Sequence, residues 1–208
     1  MVLDGIRWQT YNQLRDDLDA NKQHTHLTYD RGCLEIEMSP LPKHESRTWL
    51  LAHVVEVLAE ESEIPYLPGG STTFRRGELG RGAEPDACYY LRDVETLLRQ
   101  IENDIEIDAS ITAPDLVIEV DITHRTVDKL GLYAQIGVSE IWQDDGTDVR
   151  VLVLQNNAYV AQARSIFFPA LEAAALTQRV NQGMTQHRAA WLRALRTWAR
   201  ENQINGNL

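Results

Sequence analysis

The most constraining stretch of the chain is Asp115-Leu-Val-Ile-Glu-Val-Asp-Ile122, an apolar run rich in Val and Ile. Branched side chains favour a pleated, half-buried surface, so this run predicts a strand. Alternation puts Leu116, Ile118, Val120 and Ile122 on one face and Val117, Glu119 and Asp121 on the other. Two rises of a strand separate Glu119 from Asp121 by about 7 Å on a shared face. Carboxylates in an apolar strand lose hydration unless something compensates them. A hydrated divalent cation such as Mg²⁺ does so, since it takes one or two carboxylates plus water. Exposure of that face, or pairing with Arg125 or Lys129, would do so as well.

The rest of the chain supplies helices and further strands. Residues 6–22 read as a short amphipathic helix, and 26–29 and 34–38 as a hairpin around Asp30-Arg31-Gly32. Residues 44–61 carry Leu50, Leu51, Val54, Val55 and Leu58 as one stripe at helical spacing. Pro68-Gly69-Gly70 reads as a turn, followed by strands near 71–76 and 86–91 and a helix over 94–102. A helix over 127–136 closes at Gly137, three strands follow at 140–143, 149–154 and 158–163, and two helices near 170–181 and 185–202 end the order. Strands and helices so interleaved predict an α/β or α+β fold, a mixed sheet with helices on its faces.

A third acid joins the pair on β-strand 115–122. Pro85 lacks a ladder donor, so Asp86 is expected at a strand start or edge, where a side chain can lean into a cleft. As an isolated feature Pro85-Asp86 is also a common turn. Followed 33 residues later by Glu119-Val120-Asp121, it resembles the PD-(D/E)XK nuclease superfamily. The surrounding text resembles its Uma-type branch of bacterial restriction endonucleases. The residues that carry this are Pro40-Leu-Pro-Lys-His-Glu45, Gly70-Ser-Thr-Thr-Phe-Arg-Arg76, Arg81-Gly-Ala-Glu-Pro-Asp86, Ala87-Cys-Tyr-Tyr90, Asp115-Leu-Val-Ile-Glu-Val-Asp-Ile-Thr123 and Tyr133-Ala-Gln-Ile-Gly-Val-Ser-Glu-Ile-Trp142.

The resemblance implies a restriction-endonuclease-like mixed sheet and Mg²⁺ or Mn²⁺ held by Asp86 and Glu119; Asp121, where the sequence departs from the family pattern, is a further candidate ligand. It also implies a site residue on the first long helix. On that wheel His44 and Arg47 project toward the apolar stripe and Glu45 away from it, so His44 is the candidate. The superfamily's lysine would fall at position 121, which holds Asp121. Lys129, one helical turn before Tyr133, is the candidate replacement, with Arg125 as fallback. The expected activity is metal-dependent hydrolysis of DNA phosphodiesters. The alternative is a nuclease-fold protein without chemistry that binds nucleic acid or regulates. The expected layout is a helical segment over 1–25, a nuclease-like domain over 26–168 and helices over 169–208 packed on it. A homodimer is expected by analogy, since cutting both strands takes two sites.

Charge sets limits on this reading. Lys and Arg total 20 against 31 Asp and Glu, a net charge of −11, so the whole molecule does not attract phosphate backbones. Residues 179–200 hold five arginines and no acid. Trp191, Leu195 and Trp198 share one face there, with Arg193, Arg196 and Arg200 opposite. That pattern is a docked helix with a wet basic back, or a phosphate-tracking surface joined by Arg75, Arg76 and Arg81. Cys33 and Cys88 form neither a disulfide framework nor a metal-spaced pair, which makes a reduced, cytoplasmic protein the expectation. The longest apolar stretch, 50–59, is broken by His53 and Glu56, and no membrane span is expected. The chain has no Walker loop, dinucleotide fingerprint, zinc spacing or Gly-x-Ser-x-Gly elbow.

Overall fold

A computed structural model describes residues 1–22, 25–37, 41–103, 105, 107, 112–122, 127 and 129–202. The chain forms β1 (Val2–Leu3), α1 (Trp8–Ala20), β2 (Leu27–Asp30), β3 (Cys33–Ile36), α2 (Pro42–Glu61), β4 (Leu67–Gly70), β5 (Phe74–Arg76), β6 (Arg81–Ala83), β7 (Ala87–Tyr90), α3 (Val94–Glu102), β8 (Leu116–Val120), α4 (Leu130–Ile136), β9 (Glu140–Asp144), β10 (Val149–Gln155), β11 (Ala158–Gln162), α5 (Ala173–Gly183) and α6 (Arg188–Glu201). A 3₁₀ turn over Gly77–Leu79 links β5 to β6.

Two sheets result. The larger has the order β11-β10-β9-β8-β7-β4, and the smaller β1-β3-β2-β6-β5. Every pairing in the larger sheet is antiparallel except β8 with β9, whose crossover carries α4. A parallel pair needs such a crossover, and the helix then covers the sheet face it passes over.

β8 is buried along its whole length, as a strand with cover on both faces must be. Leu116, Ile118 and Val120 pack with Leu50, Val54 and Leu58 of α2, Trp142 of β9 and Trp191 and Leu195 of α6. On the opposite face Val117 joins Cys88, Ile141 and Leu152, under Leu132, Tyr133 and Ile136 of α4 and Phe74 and Ala83 of the small sheet. A third cluster of Tyr11, Leu27, Tyr29 and Leu34 joins α1 to the small sheet. Substituting Ile118→Ala is expected to cost about 2–5 kcal/mol, the range for large-to-small core changes. A loss below roughly 0.5 kcal/mol in urea titration would overturn its place at the centre of the core.

Local chemistry explains where the observed elements depart from sequence expectation. α2 starts at Pro42, two residues early, because the first turn needs no amide donor from proline. Pro68-Gly69-Gly70 is part of edge strand β4, with a register shift between Pro68 and Gly70. An edge tolerates a proline's missing donor. A Cβ at Gly69 would lie 2.6 Å from Cys88 Sγ, so β4 approaches β7 more closely than a side chain allows. The strand expected near 71–76 shortens to β5 and pairs with β6 in the small sheet.

Candidate active site

Glu119 faces α4 from β8, and its carboxylate is buried, the residue being 3 % exposed. Lys129 precedes the first turn of α4, with its ammonium 3.2 and 3.1 Å from Glu119 Oε1 and Oε2. The same ammonium donates to the Glu84 carbonyl at 2.7 Å. Tyr133, one turn further, donates its hydroxyl to Glu119 Oε1 at 2.5 Å. A buried carboxylate is tolerable when its oxygens accept from such donors. Parallel β8 and β9 need a crossover, and that crossover brings these two donors over the acid.

Asp86 lies between β6 and β7. The ladder of Ala87 with Ile118 and Cys88 with Val117 would continue by setting Asp86 against Glu119. Its amide donates instead to the Ile118 carbonyl at 3.2 Å, one residue out of register. Asp86 Oδ2 accepts from the Val120 amide at 2.7 Å and lies 3.4 Å from His44 Nε2, on the α2 side. His44 Nδ1 is 3.4 Å from Glu45 Oε1. Asp121, half-buried, accepts from Gln143 Nε2 at 2.9 Å. The structure thus brings Glu119 together with Lys129, and Asp86 together with His44, on adjoining strands. Asp121 keeps company with a β9 glutamine, and Arg125 lies outside the described residues.

Glu84 is the participant that sequence reasoning passed over. Its carboxylate is buried, accepting from Arg15 Nη1 at 2.7 Å and Thr73 Oγ1 at 3.0 Å. Burial pushes its carboxyl above the ordinary glutamate value, although Arg15 opposes the shift. The available signal was an acid two residues before Asp86 in Arg81-Gly-Ala-Glu-Pro-Asp86. Its partner Arg15 comes from α1, 69 residues away, and no local pattern announces that pairing.

The arginines of the sequence largely face acids. Arg196 donates to Glu60 at 2.8 Å, and Arg200 to Glu61 at 2.6 and 3.0 Å, both across to α2. Arg75 pairs with Asp16 at 3.0 Å and Arg81 with Asp30 at 2.8 Å. Arg196 and Arg200 on the basic back of α6 thus bridge to acids of α2, as the docked-helix alternative has it.

Among the described residues no group of three or more His, Cys, Asp or Glu is arranged to hold a metal ion. The carboxylates such an ion would draw on are Asp86, beside the His44 imidazole, and Glu119, held by Lys129 and Tyr133. Oxygen donors of this kind fit Mg²⁺ or Mn²⁺, which complete their shells with water. Among the described residues no helix is long and apolar enough to cross a membrane.

A protein from Anabaena variabilis ATCC 29413, described as a putative nuclease belonging to DUF820, has a similar solved structure. It is 17% identical, with a TM-score of 0.50, covering 80% of this chain and 90% of that one. At that identity the likeness shows the fold, a restriction-endonuclease-like α/β arrangement. No curated protein matches the chain. The family model Uma2, described as "Putative restriction endonuclease", matches residues 8–185. With most of its length matched, and with the sheet and acids described above, the chain belongs to the Uma2 family.

Proposed function

We propose that this chain is a divalent-metal-dependent endonuclease that hydrolyses DNA phosphodiesters. The observation that carries this reading is Lys129. The superfamily's lysine position holds Asp121, yet a buried ammonium reaches both oxygens of Glu119 from the next helix. Asp86 and Glu119 would hold Mg²⁺ or Mn²⁺, with Asp121 as a further carboxylate nearby. Once bound, the metal supplies an activated water and neutralises charge on the scissile phosphate. Lys129 places a fixed positive charge where phosphoryl oxygens gain negative charge. Tyr133 holds Glu119 in one orientation, and His44 borders Asp86 and fixes the approach to it from α2. The family description and the nuclease-described neighbour support this reading. Cutting both strands of a duplex would take two copies of the chain.

Plasmid nicking in Mn²⁺ or Mg²⁺ is the test. Wild type is expected to nick, EDTA to stop it, and Asp86→Ala to abolish it. Mn²⁺ should also raise the melting temperature by mass action on the native state, and the Asp86→Asn, Glu119→Gln double variant should lose that rise. An equal rise in both proteins would remove these residues from the metal site. The second reading, a nucleic-acid-binding module without chemistry, is favoured by Asp121 at the lysine position and by the net charge of −11. It predicts binding without nicking.

A further inference from the structure

A cavity of about 570 Å³ opens beside the candidate site, between α2, the start of α6 and the β4–β7 edge of the large sheet. Asp86 stands in its wall, so cavity and site share a residue. The remaining lining divides by chemistry. Trp49, Pro68 and Ala87 give apolar surface, Glu45 and Glu56 give carboxylates, and Arg188 gives a single cation.

Arg188 differs from the other arginines near α2. Arg47, Arg196 and Arg200 each meet an acid. The Arg188 guanidinium lies 3.7 Å from the centroid of the Trp49 ring, and among the described residues no carboxylate pairs with it. Its Nη1 is buried with no hydrogen-bond partner there, as is the Thr48 hydroxyl on the same wall. A half-buried guanidinium that lies over aromatic rings with no carboxylate beside it is left for an anion that a ligand brings. The carboxylates on the wall exclude an anion from the rest of the space. The ligand must therefore be anionic at one end and carry uncharged N–H donors at the other.

A nucleotide with an exocyclic amino group has that distribution. We propose that the cavity takes one unpaired nucleotide of the DNA strand, next to the phosphate at Asp86. Its own phosphate lies on Arg188 and its base amino edge on Glu45 or Glu56. Cytosine N4 is the donor that a carboxylate reads best, and thymine has no amino group to offer. A paired base enters such a pocket only by leaving the stack, which costs free energy that a single strand does not spend. The preferred substrate class is thus DNA that is single-stranded or frayed at the cut. This inference rests on the nuclease reading for the role of Asp86.

The experiment measures binding and cutting separately. Fluorescence anisotropy in EDTA would compare a short labelled oligodeoxycytidine, an oligothymidine of equal length and a duplex, with plasmid nicking in Mn²⁺ run alongside. Wild type is expected to bind oligodeoxycytidine about ten-fold tighter than either competitor, the scale of one good carboxylate–amino contact. Arg188→Gln should weaken binding of both single strands about ten-fold. Ser46→Trp, which fills the cavity from α2, should abolish the preference for cytosine. If Arg188→Gln fails to fold, the Ser46→Trp result decides. Equal binding of all three ligands, or unchanged binding in a folded variant, overturns the proposal even when nicking persists. Cytosine-selective binding with no nicking leaves the pocket standing and overturns the nuclease reading instead.

Discussion

Replacing Lys129 with methionine is expected to slow phosphodiester cleavage by roughly 10²–10³, the loss that follows removal of one preorganised charge-stabilising donor. The same change should be felt in stability. Glu119 would keep the Tyr133 hydroxyl but lose its ammonium partner while staying buried. Removing one member of a buried pair costs about 3–5 kcal/mol, mostly because the other charge is left uncompensated. Adding Glu119→Gln to Lys129→Met should restore part of the melting temperature and none of the activity. That split separates a folding defect from a catalytic one. Nicking at the wild-type rate by a folded Lys129→Met protein would send the assignment to the non-catalytic reading.

Arg47→Leu should destabilise the chain by about 3–5 kcal/mol, read as a shift of the urea midpoint at unchanged slope. Arg47 Nε donates to Asp144 Oδ2 at 2.6 Å, with the two side chains 2% and 0% exposed. Arg47 Nη1 also reaches Asn181 Oδ1 at 2.9 Å, so one guanidinium joins α2, the end of β9 and α5. Without it, the Asp144 carboxylate keeps only the Gly146 amide among its described partners, at 2.8 Å. Arg47→Leu with Asp144→Leu should recover much of the loss, because two apolar side chains leave no orphaned charge. A single-variant loss under about 1 kcal/mol would place the pair on the scale of exposed ion pairs and refute its buried role.

What could be read in the sequence was what local pattern encodes. Alternation within 115–122 gave a strand and the two faces on which Ile118 and Glu119 lie. The wheel of α2 sent His44 and Arg47 to the packed side, and both are buried. The family resemblance, not local pattern, pointed to Lys129 four residues before Tyr133, and its ammonium reaches Glu119. The parts that escaped depend on partners distant in sequence. Pro68-Gly69-Gly70 has turn composition, and only β7 beside it makes it a strand. The small sheet gathers strands from both sides of α2, so no contiguous stretch displays it. Arg47 carried no mark of Asp144, 97 residues on, nor Glu84 of Arg15. The out-of-register bond at Asp86 is a matter of pairing between strands and has no trace in composition.

The clasp of Arg196 and Arg200 on Glu60 and Glu61 has a consequence for how tightly counterions govern DNA association. Arginines already neutralised within the protein displace few cations from a phosphate backbone. With Lys129 held by Glu119 and Arg188 as the principal contact, log K against log salt should fall with a slope of about −1, near one for each phosphate neutralised. Each unit of slope is about ten-fold in affinity per ten-fold rise in salt, so binding would weaken with salt, though less than for a protein that contacts many phosphates. A slope of about −3 or steeper would mean that Arg196 and Arg200 of α6 release their acids when DNA arrives.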